Sequence, residues 1–236
     1  MNLLDVAILA VFLFFVLNGV YKGFLSTLLS VGAYIISWLM AFILLPLGAN
    51  AVKGSQTLFN TMLYYTEGSE YVKDVELARQ SISSIGTEKL GQILANADLP
   101  YPMGKQITAN VAKEAFAQQG ITTLGDYFNQ TIVCVFINIL MFLMIFLLIR
   151  AAMGFLINGV DYAWTLPQLR AGDSALSAGL GLVRGILAVF LLFMLLPPVL
   201  IVLQGKLGFV TELVEGSTMA RFFYRSNFLL SMMPGV

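Results

Sequence analysis

The chain has no histidine. That absence excludes a histidine-ligated metal site, a Ser-His-Asp triad and an imidazole proton relay. Cysteine is nearly missing too: Cys134 stands alone inside an apolar run, cannot form an internal disulfide, and reads as a small buried hydrophobe. Charge is scarce, at 11% of residues, against roughly 25% in an ordinary soluble domain. The 13 basic and 13 acidic residues cancel, which leaves no basic footprint for nucleic acid. No Gly-x-Ser-x-Gly elbow, paired intramembrane carboxylates or Cys-His arrangement occurs. The chain therefore reads as a non-enzyme with no metal or cofactor motif.

What is present is apolar length. Hydrophobic residues make up 58% of the chain, and a helix needs ~20 of them in a row to span ~30 Å of hydrocarbon. Leu3 to Val20 carries one charge, Asp5, at its start, and Phe24 to Gly48 carries none. Only Tyr21, Lys22 and Gly23 separate these runs, so they are expected to form a tight antiparallel hairpin. Ile132 to Ile149 is a third span, ended by Arg150, and a fourth lies within Leu176 to Leu203, a stretch too long for one straight crossing. The first run lacks a basic lead-in, has Asp5 in its place and shows no small-residue cleavage site, so it is read as a retained helix and not a signal peptide. The expected fold is an all-α membrane protein of about four transmembrane helices, with a helical extramembrane insertion and an interfacial C-terminal helix.

Four segments follow: a transmembrane hairpin (1–48), a polar helical region (49–130), transmembrane helices three and four with their loop (131–204), and an amphipathic tail (205–236). The polar region holds six basic and eight acidic residues. Val72, Val75, Ile82, Ile85 and Ile93 approximate one helical stripe, and Ile107, Val111 and Phe116 another, with Pro100-Tyr101-Pro102 breaking the chain between them. Two or three amphipathic helices capping the bundle are expected. In the tail, Met219, Phe222, Phe223, Ser226, Leu230 and Met233 share a helical face opposite Arg221 and Arg225. That pattern fits a helix lying in the membrane interface, or one packed on the protein's own polar lid.

Basic residues set the expected orientation. Lys22, Arg150, Arg170 and Arg184 fall on one side if the hairpin turn and the 150–184 segment are cytoplasmic, while Lys53, Lys206 and Arg221 fall near span ends on the other. Both termini and the 49–130 region are then outside.

One phrase occurs twice: Gly19-Val20-Tyr21-Lys22-Gly23 and Gly181-Leu182-Val183-Arg184-Gly185. Small residues let helices approach closely in lipid, and a cation beside them must reach water or find a partner. If the fourth span ends near Leu196, where Pro197 and Pro198 disfavour helix, Arg184 lies ~13 Å inside it. If the span runs from Gly185 to Leu203, Arg184 is an interfacial anchor. Asp173, Ser177, Gly181 and Gly185 recur every four residues as a small-residue stripe. Asp173 reads as an N-cap, and Asp5 as a dipole-favoured acid in a first turn or as half of an ion pair with a neighbouring span. Asn138 reads as interhelical hydrogen-bonding glue.

Asn2-Leu3-Leu4-Asp5-Val6-Ala7-Ile8, then Lys22-Gly23-Phe24, then Gly172-Asp173 with Leu176, Gly181, Arg184 and Gly185, resemble the signature of the colicin V production protein (CvpA) family. The two blocks cover about a third of the chain. Where family members often carry an acidic residue after the first glycine-aromatic pair, this chain has Ser26 and Thr27, and Ser177 stands where Gly is frequent. The resemblance implies a multi-pass bacterial inner-membrane protein linked to production or export of a peptide toxin and to envelope maintenance. Its partners would be the lipid bilayer and other membrane proteins or further copies of itself. The alternative reading is a small oligomeric transporter or channel with Arg184, Lys22, Asp5 and Asp173 lining its path.

Overall fold

A computed structural model describes residues 2–163, 173–203 and 208–236. Arg170, Gly172 and Lys206, used above for orientation and for the resemblance, lie outside the described residues. The protein is an all-α membrane protein, with no strand among the described residues. Its helices are α1 (Leu3–Lys22), α2 (Phe24–Lys53), α3 (Gln56–Thr66), α4 (Val75–Arg79), α5 (Thr87–Asn96), α6 (Met103–Ala112), α7 (Leu124–Ala163), α8 (Asp173–Met194), α9 (Leu196–Val202), α10 (Gly208–Glu215), α11 (Thr218–Arg225) and α12 (Phe228–Ser231). Four stretches are long and apolar enough to cross a membrane: α1, α2, Leu124–Gly159 of α7, and Asp173–Val202 across α8 and α9. Their outward faces are apolar, with Leu13, Phe14 and Leu17 of α1 each about 60% exposed. In water that surface would be strongly unfavourable, whereas hydrocarbon is its natural solvent.

The helices divide into two compact units. The first comprises Met1–Pro46, Phe142–Met194 and Leu207–Asn227. Here α1 packs along α8 in antiparallel fashion, since Gly19 meets Ser177 and Gly181 while Phe12 and Phe15 meet Gly185. Phe15 precedes Gly23 and Tyr34 follows it, yet both rings lie within 6 Å of the Arg184 guanidinium, so α2 folds back beside α1 as the apolar runs led us to expect. α11 lies on the α1–α8 pair, where Phe223 makes edge contacts with Phe12 and Phe190 at 5.8 and 5.0 Å.

The second unit comprises Leu47–Met141, Leu195–Lys206 and Phe228–Val236. Its centre is the first part of α7. Leu124, Tyr127, Phe128, Ile132, Val135 and Ile139 have essentially no exposure, as expected of a helix that is apolar all round. Ile82, Phe116 and Tyr127 cluster there with Val111 and Ile121. The main-chain oxygens of the last residues are taken up by side chains: Gln106 donates to Met233, Asn110 to Gly235 and Asn138 to Pro234, each at 2.8 Å.

Several expectations need correction. The helix that carries the third span does not stop at Arg150 but continues to Ala163; a helix satisfies its own backbone, so a single charge does not terminate it. The stripe from Val72 to Ile93 is not one helix. Asp74 caps a new helix by accepting from the main-chain N–H groups of Glu76 and Leu77, and Val75 is exposed. The tail is three short helices, not one, because Gly216-Ser217 and Ser226-Asn227 interrupt it. Ser217 is the N-cap of α11, with its hydroxyl accepting from Ala220 N–H. Phe222 points outward, whereas Phe223, Leu230 and Met233 are buried.

Candidate functional site

The sequence blocks 19–24 and 173–185 meet in the first unit. α1 ends at Lys22, and Gly23 alone joins it to α2 with φ +78°. Only glycine takes that backbone region without strain. The first N–H groups of α2 have no intrahelical acceptor, and Asp173 supplies one: its Oδ1 accepts from Phe24 N–H at 3.0 Å. Asp173 therefore caps α2, where the sequence led us to expect a cap for its own helix. A carboxylate at a helix N-terminus is also favoured by the helix dipole. Thr27 closes the other side of the turn, its hydroxyl donating to the main-chain oxygens of Gly19 and Gly23 at 3.2 and 2.7 Å. Lys22 is exposed at this turn.

One turn below, α1 and α8 come as near as backbones allow. A Cβ on Gly19 would stand 2.5 Å from the Ser177 main-chain oxygen and 3.1 Å from the Cα of Gly181. A Cβ on Gly181 would stand 2.5 Å from the Phe15 main-chain oxygen. Gly185 leaves room for the Phe12 and Phe15 side chains. Ser177 is fully buried and turns its hydroxyl back onto the Asp173 main-chain oxygen at 2.5 Å. The stripe Ser177, Gly181, Gly185 is thus the surface on which α1 lies.

Because the two helices are antiparallel, the repeated phrases diverge from their shared contact. From Gly19, Lys22 lies three residues towards the turn; from Gly181, Arg184 lies three residues away from it. At ~1.5 Å per residue that separates the two cations by ~9 Å along the axes. Arg184 is therefore inside a continuous helix that starts at Asp173 and runs to Met194. Both readings of the fourth span run along the one apolar stretch Asp173–Val202.

Arg184 is not alone. Its guanidinium carbon lies 5.1 Å from the Phe15 ring centre and 5.7 Å from that of Tyr34, and the Arg150 guanidinium carbon lies 4.8 Å from the same Tyr34 ring. Tyr34 also rests on Phe146, at 5.8 Å, one helical turn before Arg150. Among the described residues the only ion pair is the exposed Lys73–Asp98 contact at 2.7 Å, and Arg184 Nε is buried without a hydrogen-bond partner. Placing an arginine at mid-helix costs ~2.5–3.5 kcal/mol on insertion scales. A desolvated ring contact returns ~2 kcal/mol. The two are of the same order, so the rings carry the cations in the absence of a carboxylate.

Asp5 lies at the far end of α1, 3% exposed. It completes a capping box with Asn2 and accepts from Ser217 Oγ at 2.6 Å and from Met219 N–H at 3.0 Å. Its described partners are neutral donors, in line with the first-turn reading and not with the ion-pair alternative. The Asn2 amide adds a bond to the Leu213 main-chain oxygen at 2.6 Å. In the second unit Asn138 is buried and accepts from Lys53 Nζ at 2.9 Å; Lys53 also donates to the Val236 main-chain oxygen at 2.9 Å. Asn138 thus ties α7 to α2 and to the tail.

Sequence reasoning missed Tyr34, and it treated Arg150 only as a span end and orientation marker and Lys53 only as an orientation marker. Cys134 is buried and free, as expected. No group of histidine, cysteine or carboxylate side chains able to hold a metal occurs among the described residues. No family model matches the chain, and no curated protein or solved structure shows significant similarity to it.

Proposed function

We propose that this protein is a multi-pass bacterial inner-membrane component of the colicin V production type, without enzymatic activity, that serves toxin export or envelope homeostasis through contacts with partner membrane proteins. One observation carries the reading. The two blocks that resemble the family, 149 residues apart at Phe24 and Asp173, form a single joint in which Asp173 caps α2 and Gly19 lies on Gly181. The reading also includes the orientation drawn from basic residues, with the Lys22 turn cytoplasmic.

Crosslinking in native membranes followed by identification of the captured proteins tests it. A reproducible envelope or export partner is the expected result. Specific solute flux through purified protein reconstituted alone would overturn it. Single cysteines at Tyr21 and Thr87, in a Cys134→Ala background, should label from opposite faces of the membrane.

The paired guanidiniums favour a second reading, a small oligomeric transporter or channel built around Arg184. Asp5 and Asp173, once candidates for its path, are engaged in helix caps. Flux that disappears in Arg184→Gln would select this reading over the first.

A further inference from the structure

Two like charges that converge on one ring, with no carboxylate paired to either among the described residues, form half of a binding site. We infer that Arg150 and Arg184, both held against the Tyr34 ring, bind a phosphoryl group. Three facts lead there. Both guanidinium carbons lie within 6 Å of the Tyr34 ring centre, at 4.8 and 5.7 Å, which gathers the two cations about one side chain. The described carboxylates that could serve are committed elsewhere: Asp5 accepts from Ser217 and Met219, and Asp173 from Phe24. Arg184 Nε is buried with its N–H unspent.

The guanidinium fork fixes the ligand's chemistry. Each arginine presents parallel N–H donors that match the oxygens of a phosphate, and two such forks satisfy the several oxygens and the charge of one phosphoryl group. The ring contacts hold both guanidiniums in place by cation–π attraction.

The phosphoryl group has two sources. Arg150 and Arg184 are each half-buried, and they neighbour the exposed apolar side chains of Leu147, Leu148, Leu182 and Val183. An anionic lipid could lay its acyl chains on that apolar surface, whereas free phosphate would enter with no need of it. This site goes beyond the export reading, and its test is independent of any partner.

The experiment uses the full chain in detergent and in nanodiscs. Native mass spectrometry of protein titrated with phosphatidylglycerol should show one retained lipid per chain, with phosphatidylcholine retained far less. In parallel, thermal unfolding in lipid-free micelles is followed against inorganic phosphate, with chloride at matched ionic strength. Retained phosphatidylglycerol without a phosphate effect assigns the site to a lipid headgroup; a saturable rise in melting temperature with phosphate alone assigns it to the free ion. Arg150→Gln/Arg184→Gln should weaken whichever binding is seen by roughly tenfold or more, and Arg150→Lys/Arg184→Lys, which keeps charge but loses the fork, should weaken it less. On unaltered protein, a photoreactive phosphatidylglycerol should label peptides containing Tyr34, Arg150 or Arg184 in the lipid case, so the test survives poor folding of the variants. Absence of saturable binding of either ligand, or labelling that avoids those peptides while lipid is retained, overturns the inference.

Discussion

The Asp173 carboxylate accepts the Phe24 main-chain N–H at 3.0 Å, so the first residue of α8 caps the first turn of α2 across 149 residues of sequence. This bond fixes the α1–α2 turn to α8. Asp173→Ala removes the acceptor and should cost about 1 kcal/mol, the usual worth of a helix cap. Asp173→Asn keeps a side-chain oxygen and should cost less. Reversible unfolding of both variants in mixed micelles gives the comparison.

Gly181 and Gly32 offer a matched pair. Both are helical glycines, but a Cβ on Gly181 meets the Phe15 main-chain oxygen while one on Gly32 meets nothing within 4 Å. Gly181→Ala should destabilise by about 1–3 kcal/mol, as overpacking does. Gly32→Ala should be neutral or stabilising by up to ~1 kcal/mol, the difference in helix propensity. Equal effects of the two substitutions would contradict the close packing of α1 on α8.

Asp5 holds the start of α11 through Ser217 Oγ and Met219 N–H. Asp5→Ala should speed hydrogen exchange at the Met219 and Ala220 amides, while amides in the middle of α7 keep their protection. Ser217→Ala should reproduce much of that change.

Lys53 and Asn138 share a bond at 2.9 Å. Polar contacts of this kind between membrane helices average ~0.6 kcal/mol and reach ~1.7 kcal/mol. Lys53→Met and Asn138→Leu should therefore be less than additive in a double-mutant cycle, with a coupling in that range. Strict additivity would mean that the bond contributes nothing.

The outline of the fold was legible because apolar length and the position of glycine are local properties. Leu3 to Val20, Lys22-Gly23 and Phe24 onward marked α1, the turn and α2 to within a few residues. The stripe of Ser177, Gly181 and Gly185 announced a packing surface, since spacing alone places those residues on one face. Its partner, Gly19, could only be guessed from a repeated phrase. Two kinds of information were out of reach. A charge in an apolar run says nothing of what lies beside it, so Arg150 looked like a stop signal when the Tyr34 ring lets it sit within a helix. Tyr34 itself, in an apolar run, looks like filler until two arginines are seen against it. Caps between distant segments were also illegible: Asp173 and Asp5 each carry the pattern of a local cap, but only tertiary structure shows Asp173 serving α2 and Asp5 serving α11.

The length of α1 has a consequence for the membranes that suit this protein. Asp5 is locked in a cap at one end and Lys22 is exposed at the other, seventeen residues apart. At ~1.5 Å per residue they bracket ~25 Å of apolar rod. A typical hydrocarbon layer is ~30 Å, and lipids next to a short helix compress to meet it at a modest cost per ångström. Bilayers of short-chain lipid therefore match α1 best, and in thicker ones the lipid that borders this helix is the part that must thin.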